Sequence, residues 1–189
     1  MSISPTEAEE ALVAIQTIVK KTRRAISTSG AYAFLIVWGI VWLFGFLGSQ
    51  FFPSEIGRYF WMGIDIIGGV ISAVIGARFG RNVRNSKITN SGKQIGLFWL
   101  LLIVYCAAAI WVVWPIGNKQ FAMLIILFVM IGWMAMGLIL SFYPIWGGLI
   151  LTALALVGYF LLPGFFYLWM AILGGGGMII MGLYIRNKW

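Results

Sequence analysis

The chain has 189 residues, of which 62% are apolar and only 10% are charged, and its formal net charge is +8. A soluble domain is about 45–50% apolar and about 25% charged, so this composition excludes an ordinary water-soluble protein. With no histidine, one cysteine and five acidic residues, the chain is short of the side chains that zinc sites, Ser–His triads and disulfide scaffolds need. No charged residue occurs between Lys119 and Arg186. That uncharged run has 66 residues, enough for three membrane helices of about 20 residues each.

Residues 1–30 are predicted to form a cytoplasmic segment with an amphipathic helix over residues 4–26. Ser4 and Glu7 have the spacing of a capping box around Pro5, and apolar residues then recur at helical spacing. The end of this helix carries a basic cluster that we expect to contact anionic lipid headgroups, namely Lys20, Lys21, Arg23 and Arg24. The same apolar face is also suited to docking on a protein partner. Because the segment begins acidic and has no apolar core with a cleavage site, no signal peptide is predicted.

Hydropathy divides residues 31–185 into six predicted spans, so we predict an all-α, polytopic transmembrane helix bundle. The spans cover approximately residues 31–52, 59–77, 95–116, 121–142, 145–162 and 164–185, and residues 186–189 form a cytoplasmic tail. Breaks at Pro53, Pro115, Pro144 and Pro163 separate them. Pro144 and Pro163 are also compatible with kinks inside longer helices. The six spans are predicted to form three helical hairpins of like orientation.

The distribution of basic residues predicts the orientation of the bundle. Eleven of the 13 Lys and Arg residues fall before the first span, between the second and third spans, or after the sixth, and the two exceptions are Arg58 and Lys119. The positive-inside rule therefore places both termini in the cytoplasm. Between the second and third spans, residues 79–94 are predicted to be a solvated basic loop. They show no interleaved aromatic residues and no glycine pattern, so the positive charge indicates topology and not nucleic-acid binding.

The second span combines small residues with the single acid that lies well inside any span. The small residues recur every four positions and are typical of a groove on which a neighbouring helix packs: Gly68, Ser72, Gly76 and Gly80. That neighbour belongs either to the same chain or to another copy. Asp65 lies seven residues after Arg58, about 10 Å along a helix. Since intramembrane acids are candidate functional residues, Asp65 is predicted either to bind a cation or exchange a proton, or to be a neutral, hydrogen-bonded structural residue.

An internal repeat relates the first hairpin to the third at an offset of 108 residues. Matched pairs include Trp38-Gly39 with Trp146-Gly147, Trp61 with Trp169, and Gly68-Gly69 with Gly176-Gly177. The middle hairpin, with Trp99, fits the repeat loosely. Parallel repeats of this kind are related by an axis along the membrane normal.

Four consecutive glycines lie near the middle of the sixth span: Gly174, Gly175, Gly176 and Gly177. Each glycine disfavours a helix by about 1 kcal/mol relative to alanine in water. The run is therefore expected either to interrupt the helix, as in transporter binding sites, or to allow very close packing.

Several of these segments resemble a group of prokaryotic six-span membrane proteins of uncharacterised activity. The resemblance rests on residues 158–163 and 168–170, the four-glycine run and Tyr184-Ile185-Arg186. It covers most of the chain and implies a multi-pass protein of the prokaryotic inner membrane. It implies no catalytic or binding residue, because the shared motifs are structural.

The sequence predicts no enzymatic activity, no catalytic residue, no metal site and no cofactor, because intramembrane proteases and lipid transferases need paired acids or histidines. Two functions stay open. The first is a subunit, scaffold or regulatory component of a membrane complex, favoured by the close-packing faces and the scarcity of polar groups. The second is a small homo-oligomeric transporter or channel for a cation or a lipophilic cation, favoured by Asp65 and the glycine-rich segments. The expected partners are the bilayer, anionic lipids at its cytoplasmic face, and either further copies of the chain or other subunits.

Overall fold

A computed structural model describes residues 13, 31–82, 86–140 and 144–188, and all regular structure in these ranges is helical. Helix α1 covers Ala31–Phe51, α2 Ser54–Asn82, α3 Ser86–Val113, α4 Asn118–Leu140 and α5 Pro144–Leu161. The last helix consists of α6 (Phe166–Met170), a π-helical segment (Ala171–Gly176) and α7 (Gly177–Lys188). The prediction of an all-α fold is confirmed. Apart from residue 13, the predicted N-terminal helix over 4–26 lies outside the described residues.

Five of these helices are long and apolar enough to cross a membrane. Their apolar parts are Tyr32–Phe51, Ser54–Arg78, Gly96–Val113, Asn118–Ala135 and Phe166–Asn187, and the apolar part of α5, Trp146–Leu161, is shorter. Several long apolar helices in one chain suggest a membrane protein. A count of six spans stays a prediction.

Helices α2 and α3 extend beyond the spans that hydropathy predicts. Helix α2 begins at Ser54, with Glu55 in its first turn, and it ends at Asn82. Helix α3 begins at Ser86, so most of the segment predicted as a solvated loop is helical. Hydropathy marks only the apolar part of a helix, whereas polar residues such as Asn, Arg and Lys continue the backbone hydrogen bonding at little cost.

The helices form a row in which α1 and the last helix are central. Helix α1 packs against α2 on one side and against α6, the π segment and α7 on the other. The last helix contacts α5 through α6 and the π segment, α5 packs on α4, and α4 packs on α3. The buried apolar core of the described residues comes from α1, α4, α5 and the last helix, and Phe166 in α6 is fully buried. Helices α2 and α3 therefore form the two ends of the row.

A tryptophan packs on a glycine inside each of the three hairpins. The Trp61 ring of α2 covers Gly45 of α1, the Trp99 ring of α3 covers Gly132 of α4, and the Trp169 ring of α6 covers Gly158 of α5. An indole ring needs a flat surface of this kind, because any Cβ at these glycines would overlap it. Trp61 and Trp169, which the predicted repeat pairs, both pack on the preceding helix, while Trp99 packs on the following one. The repeat itself stays a prediction.

Candidate functional site

Asp65 lies on a flank of α2, beside the side of the helix that packs on α1. The packed side is marked by Trp61 on Gly45 and by Gly68, where an added Cβ would lie 2.8 Å from Val41 Cγ2. Asp65 falls between these two positions along the chain but is exposed. It lies within the apolar stretch Ser54–Arg78, so in a bilayer its carboxyl group would be at membrane depth.

No hydrogen bond or ion pair joins Asp65 to another residue in the described part of the chain. Arg58, two turns earlier on the same side of α2, has its guanidinium carbon 5.9 Å from the centroid of the Tyr59 ring. This is within the range of a cation–π contact. The arginine side chain therefore lies over its aromatic neighbour and does not reach the carboxylate.

Small residues continue from Asp65 along the same flank. An added Cβ at Gly69 would meet nothing within 4 Å, and one at Gly76 would meet only Phe34 Cζ, at 3.9 Å. The Ser72 hydroxyl oxygen is buried and has no hydrogen-bond partner among the described residues. We refer to Asp65, Gly69, Ser72 and Gly76 as the Asp65 face. Gly80, the last residue of the predicted groove, is in α2, but its surroundings are outside the described contacts.

The polar groups of the Asp65 face are the Asp65 carboxyl and the Ser72 hydroxyl. An ionised carboxylate accepts hydrogen bonds or binds a cation, and a protonated one donates a hydrogen bond. In hydrocarbon a charged side chain costs at least about 2.5 kcal/mol on insertion scales. In the described ranges, no three Asp, Glu, Cys or His side chains are close enough together to hold a metal ion.

The four glycines of the last helix differ in their surroundings, and the chain stays helical through them. An added Cβ at Gly174 would lie 3.1 Å from the Trp42 ring, and one at Gly175 would lie 2.5 Å from the backbone nitrogen of Leu43. At Gly176 and Gly177 an added Cβ would meet nothing within 4 Å. The first two glycines thus bring the last helix against α1, in a segment where Ala171–Gly176 adopts π geometry. Such segments are frequent at functional sites.

A polar cluster that was not predicted from the sequence lies where the turns of the three hairpins meet. Trp61 Nε1 donates to Ser49 Oγ at 2.7 Å, and Ser49 Oγ donates to the Gly45 carbonyl at 3.1 Å. Gln50 Nε2 donates to the Gly164 carbonyl at 3.2 Å, and Lys119 Nζ donates to the Pro163 carbonyl at 2.7 Å. The adjacent polar residues Ser49 and Gln50 in an apolar span were the signal available in the sequence.

Lys20, Lys21, Arg23 and Arg24, the predicted lipid contacts, lie outside the described residues. Comparison with known proteins finds no matching family model, curated protein or solved structure, and the resemblance to prokaryotic six-span proteins stays a prediction.

Proposed function

We propose that this chain is a non-enzymatic membrane protein of six spans that acts as a subunit, scaffold or regulatory component of a membrane complex. The observation that carries the proposal is Asp65, an exposed carboxyl group within an apolar stretch of α2. On this proposal the protein lies in a prokaryotic inner membrane with both termini in the cytoplasm. Its basic N-terminal residues then contact anionic lipids.

A carboxyl group exposed to lipid is costly, so its position on the surface of the bundle favours a partner that covers it. The neighbouring residues suit such a partner, because the open surface at Gly69 and Gly76 allows a helix backbone to approach closely. Polar side chains act across membrane helices, where an interhelical hydrogen bond contributes about 0.6 kcal/mol on average. The partner is therefore expected to present a hydrogen-bond donor or a basic group at the depth of Asp65.

Cysteine cross-linking on α2 tests this proposal. In a Cys106→Ala background, Gly69→Cys lies on the Asp65 face and Ile67→Cys lies on the opposite flank of the same helix. Cross-linking in native membranes, followed by mass spectrometry, is expected to join position 69 to a foreign subunit in stoichiometric amount and to leave position 67 unlinked. Equal cross-linking at both positions, or none at position 69, would contradict the assignment of this face.

The second candidate function is a homo-oligomeric transporter or channel for a cation or a lipophilic cation. The observation that favours it is the absence of a protein partner for the Asp65 carboxyl in the described ranges, which leaves the group free to bind a cation. Flux through purified protein in liposomes, lost in Asp65→Asn, is the expected result for this function. Flux that is unchanged by Asp65→Asn would exclude a role for the carboxylate.

A further inference from the structure

The helices divide into two groups that meet through a limited interface. The first group contains α1, α2, α6, the π segment and α7, and the second contains α3, α4 and α5. Between the groups, α5 packs on α6 and on the π segment. Within the described ranges, α7 makes no contact of comparable extent with any helix of the second group.

The interface lies in the second half of α5. Trp169 covers Gly158, and its Nε1 donates to the Leu154 carbonyl at 2.8 Å. The Tyr159 and Phe166 rings meet edge to face with their centroids 5.8 Å apart. These contacts involve the last eight residues of α5 and the first four of α6, and α5 also contacts the π segment.

Near its beginning, α5 has an open position on this side. Gly147 is seven residues before Leu154, so it lies on the same side of the helix. It is nevertheless exposed, and an added Cβ there would meet nothing within 4 Å. Gly177, at the start of α7, is open in the same way. Gly39, the counterpart of Gly147 in the predicted repeat, is instead buried, and an added Cβ there would lie 2.9 Å from the Gly175 carbonyl oxygen.

The turn at residues 162–165 is tied to both groups. Its Pro163 carbonyl accepts from Lys119 of α4, in the second group, and its Gly164 carbonyl accepts from Gln50 of α1, in the first. Adjacent carbonyls of one turn thus hold the two groups together at this end of the molecule.

In each group one pair of helices packs more closely than the groups do on each other: α1 with the last helix in the first group, and α4 with α5 in the second. In the first group, added Cβ atoms at Gly175 and Gly182 would lie 2.5 Å from Leu43 N and 2.9 Å from the Tyr32 carbonyl oxygen, so the backbones of α1 and the last helix are in contact. In the second group, Gly148 packs on Met134 and Met130 of α4. Packed elements of this kind move as units, and motion concentrates at the joints between them.

We propose that the two groups rotate relative to each other about the turn at residues 162–165. The rotation changes the distance between Gly147 of α5 and Gly177 of α7, which lie in different groups. The hydrogen bonds from Lys119 and Gln50 fix this turn, which is the pivot of the rotation. In the closed arrangement of the two groups, Trp169 contacts α5. This motion is independent of whether the Asp65 face binds a subunit or a cation.

Distance measurement by double electron–electron resonance on the full chain in lipid nanodiscs tests the motion. Spin labels at Gly147→Cys and Gly177→Cys, in a Cys106→Ala background, report the distance between the two groups. Labels at Ile40→Cys and Ile180→Cys, both exposed and both in the first group, are the control. A broad or two-peaked distribution is expected for the first pair and a single narrow one for the control. Equally narrow distributions for both pairs would overturn the proposal.

Substitution of Lys119 tests the pivot. Lys119→Met removes the hydrogen bond to the Pro163 carbonyl and is expected to shift the distance distribution between positions 147 and 177. Lys119→Arg keeps a hydrogen-bond donor, so its distance distribution is expected to match that of the parent protein. An unchanged distribution in Lys119→Met would contradict the role of the turn. If Lys119→Met does not fold, the parent pair and its control still decide whether the groups move.

Discussion

At the scale of single residues, the glycines show how closely the backbones approach. Gly174 and Gly175 face α1, whereas Gly176 and Gly177, next along the chain, have open space where a side chain would be. At Gly175 the Cα atom lies against the backbone of Leu43. A side chain added at this position would therefore overlap backbone atoms, and no change of rotamer could remove that overlap. The four residues are chemically identical, and their roles in packing are opposite.

Gly175→Ala is expected to destabilise the protein by roughly 1–3 kcal/mol, the usual cost of overpacking, because the new methyl group would force α1 and the last helix apart. Gly177→Ala is the matched control. It should raise the free energy of unfolding by up to about 1 kcal/mol, because alanine favours a helix over glycine and the position is open. Unfolding in mixed micelles with increasing dodecyl sulfate measures both variants, and an equal loss in the two would contradict the difference in packing.

Trp61 and Ser49 offer a second test at this scale, since the indole N–H to hydroxyl bond of 2.7 Å joins α2 to α1. Trp61→Phe and Ser49→Ala each remove that bond. A double-mutant cycle is expected to give a coupling energy of about 0.6 kcal/mol, the average for interhelical bonds in membranes. Purely additive effects on the free energy of unfolding would show that the bond contributes nothing.

At the scale of the helix, α2 has two different small-residue surfaces one residue apart. Gly68 is buried against Val41, and Gly69 is open beside Asp65. A helix places consecutive residues about 100° apart, so one surface holds α2 to its own chain and the other is free for a partner.

Gly69→Leu is therefore expected not to lower the unfolding free energy, since leucine favours a helix over glycine, and to remove co-purification of the partner proposed for the Asp65 face. Gly68→Leu is expected to lower the stability of the chain itself, because its side chain would overlap Val41. Pull-down from gently solubilised membranes, together with the unfolding midpoint of each variant, measures both effects. Retained co-purification in Gly69→Leu would exclude this face as the binding surface.

Hydropathy predicts helix type and approximate position well in this chain, because long apolar runs in membranes form helices. The structure places α1 at Ala31–Phe51 and α5 at Pro144–Leu161, close to the predicted 31–52 and 145–162. Hydropathy cannot predict which helices are neighbours, since nearly every residue in these spans is apolar and no face of a helix is more apolar than the others. Asp65 could be singled out from the sequence, but its position on the flank of α2 depends on how Trp61 and Gly68 pack.

At the scale of the whole molecule, the turns at residues 52–53, 114–117 and 162–165 lie together at one end, joined by the bonds from Gln50 and Lys119. Among the described residues, most basic side chains belong to the opposite ends of their helices, namely Arg78 and Arg81 of α2, Lys87 and Lys93 of α3, and Arg186 and Lys188 of α7. This arrangement agrees with an excess of positive charge on one side of a membrane.

Cysteine labelling measures this orientation. In a Cys106→Ala background, Ser54→Cys is expected to react with an impermeant maleimide added outside intact cells. Asn187→Cys is expected to react only after permeabilisation, because the positive-inside rule keeps the basic end in the cytoplasm. Both residues are exposed. Labelling in the reverse order would invert the proposed topology.

The contact between α1 and the last helix has a consequence for biosynthesis. The glycine surface of α1, the first described helix, is completed by Gly175 and Gly182, more than 130 residues later in the chain. At a synthesis rate of about 5–20 residues per second, the ribosome needs on the order of 7–27 s after making α1 to reach the glycines of the last helix. During that time its unpaired surface is open to other helices in the membrane. We expect nascent chains arrested before residue 171 to be captured by chaperones or degraded. A circular permutant that joins the end of α7 to the beginning of α1 would shorten the interval between the synthesis of the two helices.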